Sequence, residues 1–177
     1  MEDILVLEKT ADGKGYVVKK RKDRTALEIE ILPIFQGEPI LEIGEYAFWS
    51  CSKITGVRIP DGVTRIGDSA FWGCTGLTEM VLPDALLSVG RAVFAECREL
   101  KSLVFPKNLT KIGPYAFSDC DKLKSVYYKG SKEDWRKIKI EEKNEELKSA
   151  TRYYYSENPP TDLGRYWHYL DGKPIKW

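Results

Sequence analysis

Histidine is almost missing from this chain. His168 is the only one in 177 residues, beside four cysteines and two methionines. That excludes a multi-histidine metal centre and leaves Cys–His pairing as the one imidazole-assisted nucleophile to consider. Charge of one sign is missing too: 28 Lys and Arg face 27 Asp and Glu, a net +1. Nucleic-acid and anionic-membrane binders need a clear basic excess, so neither partner is expected. No apolar run approaches the ~20 residues of a membrane span. The start, Met1-Glu2-Asp3-Ile4-Leu5-Val6-Leu7, lacks a signal peptide's basic head and long apolar stretch. No phosphate-cradling Gly loop, HExxH or GxSxG is present. No cofactor and no catalytic residue is expected, and the chain reads as a non-enzyme.

What is present is a repeat. The composition, 42% hydrophobic and 31% charged, suits a soluble domain with a core. Ile43-Gly44 recurs as Ile66-Gly67, Val89-Gly90 and Ile112-Gly113, each 23 residues on. Ala47-Phe48 recurs as Ala70-Phe71, Val93-Phe94 and Ala116-Phe117. Cys51, Cys74, Cys97 and Cys120 form another row, and Ile54, Leu77, Leu100 and Leu123 the next. Each unit is too small to bury its own apolar side, so neighbouring units must stack into a solenoid. Leu77-x-x-Met80-x-Leu82 ends in period two, a short strand that stacking aligns into a parallel sheet. The spacing predicts a short helical turn at Ala-Phe-x-x-Cys. The Gly after each Ile can accommodate positive φ at the bend.

These rows resemble the BspA-like leucine-rich repeats. The resemblance is carried by units such as Leu77-Thr78-Glu79-Met80-Val81-Leu82-Pro83 through Ile112-Gly113-x-x-Ala116-Phe117-x-x-Cys120. It covers residues 43–128. Gly37-Glu38-Pro39-Ile40 resembles the family's lead-in to its first coil. The tail through Trp135, Tyr153-Tyr154-Tyr155-Ser156 and Trp167-His168-Tyr169 resembles a C-terminal segment of such proteins. The fold class expected is α/β: a short right-handed leucine-rich-repeat solenoid with a parallel β-sheet and a hairpin-type cap at each end. Residues 1–40 form the N-terminal cap, 41–130 the solenoid of about four repeats, and 131–177 the C-terminal cap. The resemblance implies a bacterial surface or secreted protein, with a protein partner that includes host matrix proteins among its candidates.

Solenoid ends expose core and need covering. Ile4 to Leu7 and Tyr16 to Val18 read as strands around an Asp12-Gly13 turn. Lys19 to Arg24 is a basic stretch, either a polyanion patch or the solvated tip of a hairpin, and the neutral whole favours the tip. Ser131 reads as a helix N-cap, with Trp135 and Ile138 sealing the last coil. Asn144 to Lys148 reads as a second short helix, Thr151 to Tyr155 as a strand, and Trp167 to Pro174 as a hairpin turning at Asp171-Gly172.

Candidate sites follow from positions in the repeat. Cysteines one repeat apart line up, so Cys51 and Cys120 lie on the order of 14 Å apart, too far for one zinc. Buried free thiols are favoured over disulfides, because parallel Cβ vectors do not converge. Nothing brings His168 to a cysteine. Trp49 and Trp72 follow the Phe in consecutive repeats, where Ala95 and Ser118 stand later. They form either an exposed aromatic patch for a protein partner or a surface covered by the N-terminal cap. Val81, Val104 and Tyr127 should face away from the core as an apolar stripe, a partner surface if open. Tyr166, Trp167, Tyr169 and Trp177 resemble cell-wall-binding aromatic hairpins. They offer a glycan site as the alternative to a seal on the last coil.

Overall fold

A computed structural model describes residues 4–22 and 25–177. Asp23 and Arg24 of the basic stretch lie outside the described residues. The chain opens with β1 (Leu5–Lys9), β2 (Tyr16–Arg21), β3 (Glu28–Glu30), β4 (Ile34–Phe35) and β5 (Glu38–Ile43). The coils add β6 (Gly56–Arg58), β7 (Arg65–Ile66), β8 (Glu79–Val81), β9 (Ser88–Val89), β10 (Ser102–Phe105), β11 (Lys111–Ile112) and β12 (Ser125–Tyr128). The C-terminal part contains α1 (Lys132–Trp135), β13 (Lys139–Ile140), α2 (Glu145–Ser149), β14 (Thr151–Tyr155), β15 (Tyr166–Leu170) and β16 (Lys173–Lys176).

Most coil strands fall in two long sheets, while β6 pairs in parallel with β3 in a separate two-stranded sheet. One sheet runs β1-β2-β5-β7-β9-β11-β13 and the other β16-β15-β14-β12-β10-β8. Within the repeats all pairing is parallel and one unit apart: Glu79 lies opposite Ser102, and Ser102 opposite Ser125. The period of the sequence is therefore the register of the sheets. Antiparallel hairpins finish both ends, β1–β2 and β15–β16. The second turns at Asp171 and Gly172, both at positive φ, the geometry that hairpin twist favours.

The core is a set of files along the solenoid axis. Phe48, Phe71, Phe94 and Phe117 are buried and stack with centroids 5.0, 5.4 and 5.4 Å apart. Each such ring contributes on the order of 1.5–3 kcal/mol by leaving water. Stacking does not stop at the strict repeats. β2 pairs in parallel with β5 at the front. At the back, β13 pairs with β11 and β14 with β12. Trp135 then meets Phe105 and Tyr128 edge-on, closing the core as the sequence anticipates.

Two local expectations meet a different backbone. The Ala-Phe-x-x-Cys segments are not helical. They are chained turns with i→i−3 bonds, such as Trp49 N–H to Tyr46 O and Cys51 N–H to Phe48 O. Two residues per coil sit in the left-handed region: Tyr46, Ser50, Ser69, Gly73, Ala92, Glu96, Tyr115 and Asp119, with φ of 50–68°. Positive φ thus falls here and not at the Gly after each Ile. Those glycines serve close approach instead. A Cβ on Gly67 would lie 2.7 Å from Glu45 N, and one on Gly113 2.7 Å from Gly90 C.

Candidate functional site: the turn ridge and the outer sheet face

The left-handed residues aim alternate N–H groups along the solenoid. Tyr46, Phe48 and Ser50 donate to Asp68 O, Ala70 O and Trp72 O at 2.7–3.0 Å. The coil that accepts also donates onward, so Ser69, Phe71 and Gly73 bond Arg91 O, Val93 O and Ala95 O. Ala92, Phe94 and Glu96 repeat this on Pro114, Ala116 and Ser118. The result is three columns of peptides whose dipoles all point the same way, each bond polarising the next. The columns build a rigid ridge, and the residues on it are held coil by coil.

That ridge carries Trp49 and Trp72. Their rings stack at 5.4 Å with an interplanar angle of 13°. Trp49 is 48% exposed and Trp72 is half-buried. Farther along the same row Ala95 is buried and Ser118 half-buried, so the aromatic patch is confined to two coils.

The columns need acceptors where the strict repeats stop. Tyr115 N–H bonds Glu142 O at 3.0 Å, a backbone partner like the others. The other two columns end on side chains. Asn144 Oδ1 accepts from Phe117 N–H at 3.1 Å, and Glu146 Oε1 from Asp119 N–H at 3.2 Å. Asn144 is fully buried, and its amide donates to Gly113 O, Glu141 O and Glu142 O. Sequence reasoning places Asn144 only at the start of a helix. It stands inside the charged run Glu141 to Glu146, where one more polar residue carries no signal, and spacing alone does not expose its role.

The thiols join the same framework. Cys74, Cys97 and Cys120 donate to Phe48 O, Phe71 O and Phe94 O of the preceding coil at 3.2, 3.2 and 3.1 Å. All four cysteines are free and buried. Burial pushes Cys74 and Cys120 up to about 12 and Cys97 well above the ordinary thiol value. Their place is structural, as the row of buried thiols anticipates.

The outer face of the second sheet departs from expectation. Val81 is 50% exposed, but Val104 is 3% and Tyr127 9% exposed. The open three-residue stripe does not exist. The β15–β16 hairpin covers it, because Trp167 lies edge-on to Tyr127 at 5.6 Å and belongs to one apolar cluster with Val104. The Trp167 indole N–H donates to Tyr128 O at 3.0 Å. The C-terminal aromatics likewise fail to form one open platform. Trp167 is fully buried, and Tyr166 donates its hydroxyl to Asp162 at 3.0 Å. Tyr169 has the Lys129 ammonium 5.5 Å from its ring, and Trp177 stacks on His168 at 4.0 Å. His168 is thereby engaged with an indole, in the hairpin. Among the described residues no group of three or more His, Cys, Asp or Glu is placed to hold a metal. No helix among them is long and apolar enough to cross a membrane.

The two-sheet coil with its Phe file and turn ridge matches the BspA type leucine rich repeat region over residues 39–151, in six copies. The chain belongs to the BspA-type leucine-rich repeat family. The match passes the last strict repeat and takes in β13 and α2, where stacking continues but the residues have changed. Leucine-rich repeat proteins of known structure from several bacteria are similar to it. A leucine-rich repeat protein from Bacteroides capillosus is 29% identical, with a TM-score of 0.61 over 70% of this chain and 93% of that one. The T. pallidum leucine rich repeat protein is 25% identical, with a TM-score of 0.59 over 72% of this chain and 70% of its own. A leucine rich cell surface protein from Faecalibacterium prausnitzii is 27% identical, with a TM-score of 0.54 over 76% of this chain and 40% of its own. No curated protein matches the sequence.

Proposed function

We propose that this BspA-type chain is a non-enzymatic binding module that docks a protein partner through the Trp49–Trp72 pair, displayed at a bacterial cell surface. The carrying observation is the pair itself: two stacked indoles, one of them 48% exposed, fixed on a rigid ridge. Large aromatics already held in place lose little freedom on binding, which is why such residues dominate interface energetics. Leucine-rich repeat proteins commonly mediate protein–protein interaction. Surface display is supported by the Faecalibacterium relative, which is described as a cell surface protein. Val81 is the one residue of the outer stripe that remains open beside this role.

The test is capture on immobilised host matrix proteins and on the source cell's envelope fraction, comparing the full chain with Trp49→Ala/Trp72→Ala. Saturable binding to a matrix protein that falls at least about tenfold in the double variant, with Tm unmoved, is the expected result. An equal loss of stability makes the pair core and overturns the reading. Retention by envelope polysaccharide alone moves recognition to the C-terminal aromatics.

A further inference from the structure

The β15–β16 hairpin sits on the molecule differently from every other element. The main core is closed without it, since Trp135, Ile138, Leu147 and Ala150 finish the stack. The hairpin belongs to a separate cluster of Val104, Tyr127 and Trp167 with Tyr153 packed against it. Only two register pairs tie β15 to β14, Tyr154 with Tyr166 and Tyr155 with Trp167. Its connection, residues 156–165, is exposed along most of its length and includes Pro159-Pro160. Of the hairpin's own large side chains only Trp167 is fully buried, while Tyr169, Leu170, Ile175 and Trp177 are exposed. Few buried apolar contacts and an exposed tether mark a unit that opens before the rest of the fold.

What it covers is a continuation of an open surface. Val81, Val104, Tyr127 and Tyr153 occupy one row on successive strands, and only Val81 is uncovered. We propose that the hairpin is a displaceable cover, an intramolecular ligand on a partner-binding strip, and that the strip takes an extended segment carrying an indole and a cation. The hairpin supplies the template for that chemistry. Trp167 fits against Tyr127 and donates to Tyr128 O, and the Lys176 ammonium lies 4.3 Å from the centre of the Tyr153 ring. A competing segment with the same two groups would add a strand at the edge of β14 and fill the same contacts. The inference rests on the reading of the chain as a protein-binding module, but it uses a different face from the tryptophan ridge.

The test has two arms, both on the full chain. In hydrogen-exchange mass spectrometry the amides of 166–176 should exchange at least about 100-fold faster than those of β10 and β12. A labelled synthetic peptide with the sequence Tyr166–Trp177 should bind Trp167→Ala about tenfold more tightly than it binds the unaltered chain, because the cover no longer competes. The coil amides of Trp167→Ala should stay protected. Equal protection of hairpin and coils overturns the proposal, as does equal peptide binding to both chains. Loss of coil protection in Trp167→Ala also overturns it, since the hairpin is then part of the scaffold. None of these outcomes bears on Trp49 and Trp72, whose binding test is read separately.

Discussion

The interior coils and the C-terminal end solve one problem by different means. Inside, the ridge N–H groups of one coil meet carbonyls of the next, and the same left-handed backbone turns recur to make it so, whatever side chains they carry. At the end there is no further repeat, and Asn144 and Glu146 present side-chain oxygens where main-chain oxygens would stand. The interior depends on pattern, whereas the end depends on individual residues. A substitution inside disturbs a contact that has neighbours of the same kind above and below it. A substitution at the end removes something present once.

That contrast can be broken most forcefully in the core. Phe94→Ala opens the Phe file in mid-stack and should cost about 3–5 kcal/mol, read as a fall in denaturation midpoint. Asn144→Ala comes next, at about 2–3 kcal/mol, because the buried Phe117 N–H and the Gly113 carbonyl lose their partner. Asn144→Asp should not restore stability at neutral pH. It keeps an acceptor for Phe117 but turns a carboxylate toward three carbonyls. A Tm for Asn144→Asp equal to that of the unaltered chain would show that the end tolerates what the contrast forbids.

The cysteine row sharpens the comparison through pH. Cys74 and Cys120 are pushed up to about 12 by burial, so the folded state holds its protons where the unfolded chain gives them up. The stability linked to these thiols is therefore complete below the ordinary thiol value near 9 and is lost as pH climbs toward 12. Replacing both by Ala should flatten that part of the Tm–pH curve, and a thiol reagent should label the native chain only as fast as it opens. The smallest effect is expected at Ala92, held at φ 50°. Ala92→Gly relieves the left-handed strain and should raise stability by no more than about 1 kcal/mol in a denaturant titration.

The same contrast explains which parts are legible in the sequence. Coil register, the Phe file, the buried thiols and both hairpins follow from spacing or from turn residues, and each is encoded many times or by a strong local signal. The ridge reads as helical because left-handed φ at Tyr46, Glu96 and Tyr115 has no glycine to announce it. Val104 and Tyr127 read as open because their cover, Trp167, lies 40 residues beyond Tyr127 in the chain. Asn144 escapes notice as a cap for a related reason: its partners at Gly113 and Phe117 are about a coil away, and nothing local names them. Exposure of the Trp49–Trp72 pair is legible as one of two outcomes, since its row later holds Ala95 and Ser118. What binds there is not.

The ridge columns also bear on how such a molecule changes length. Because each coil receives and passes on an identical set of donors and acceptors, a duplication of one 23-residue unit between Ile66 and Val89 meets matching groups on both sides. It would lengthen the solenoid by about 4.8 Å and require no new residue at either end. Loss of a unit is symmetrical. Length is thus nearly neutral to the fold and open to selection, while Asn144 and Glu146 act as a terminus that any number of coils can share.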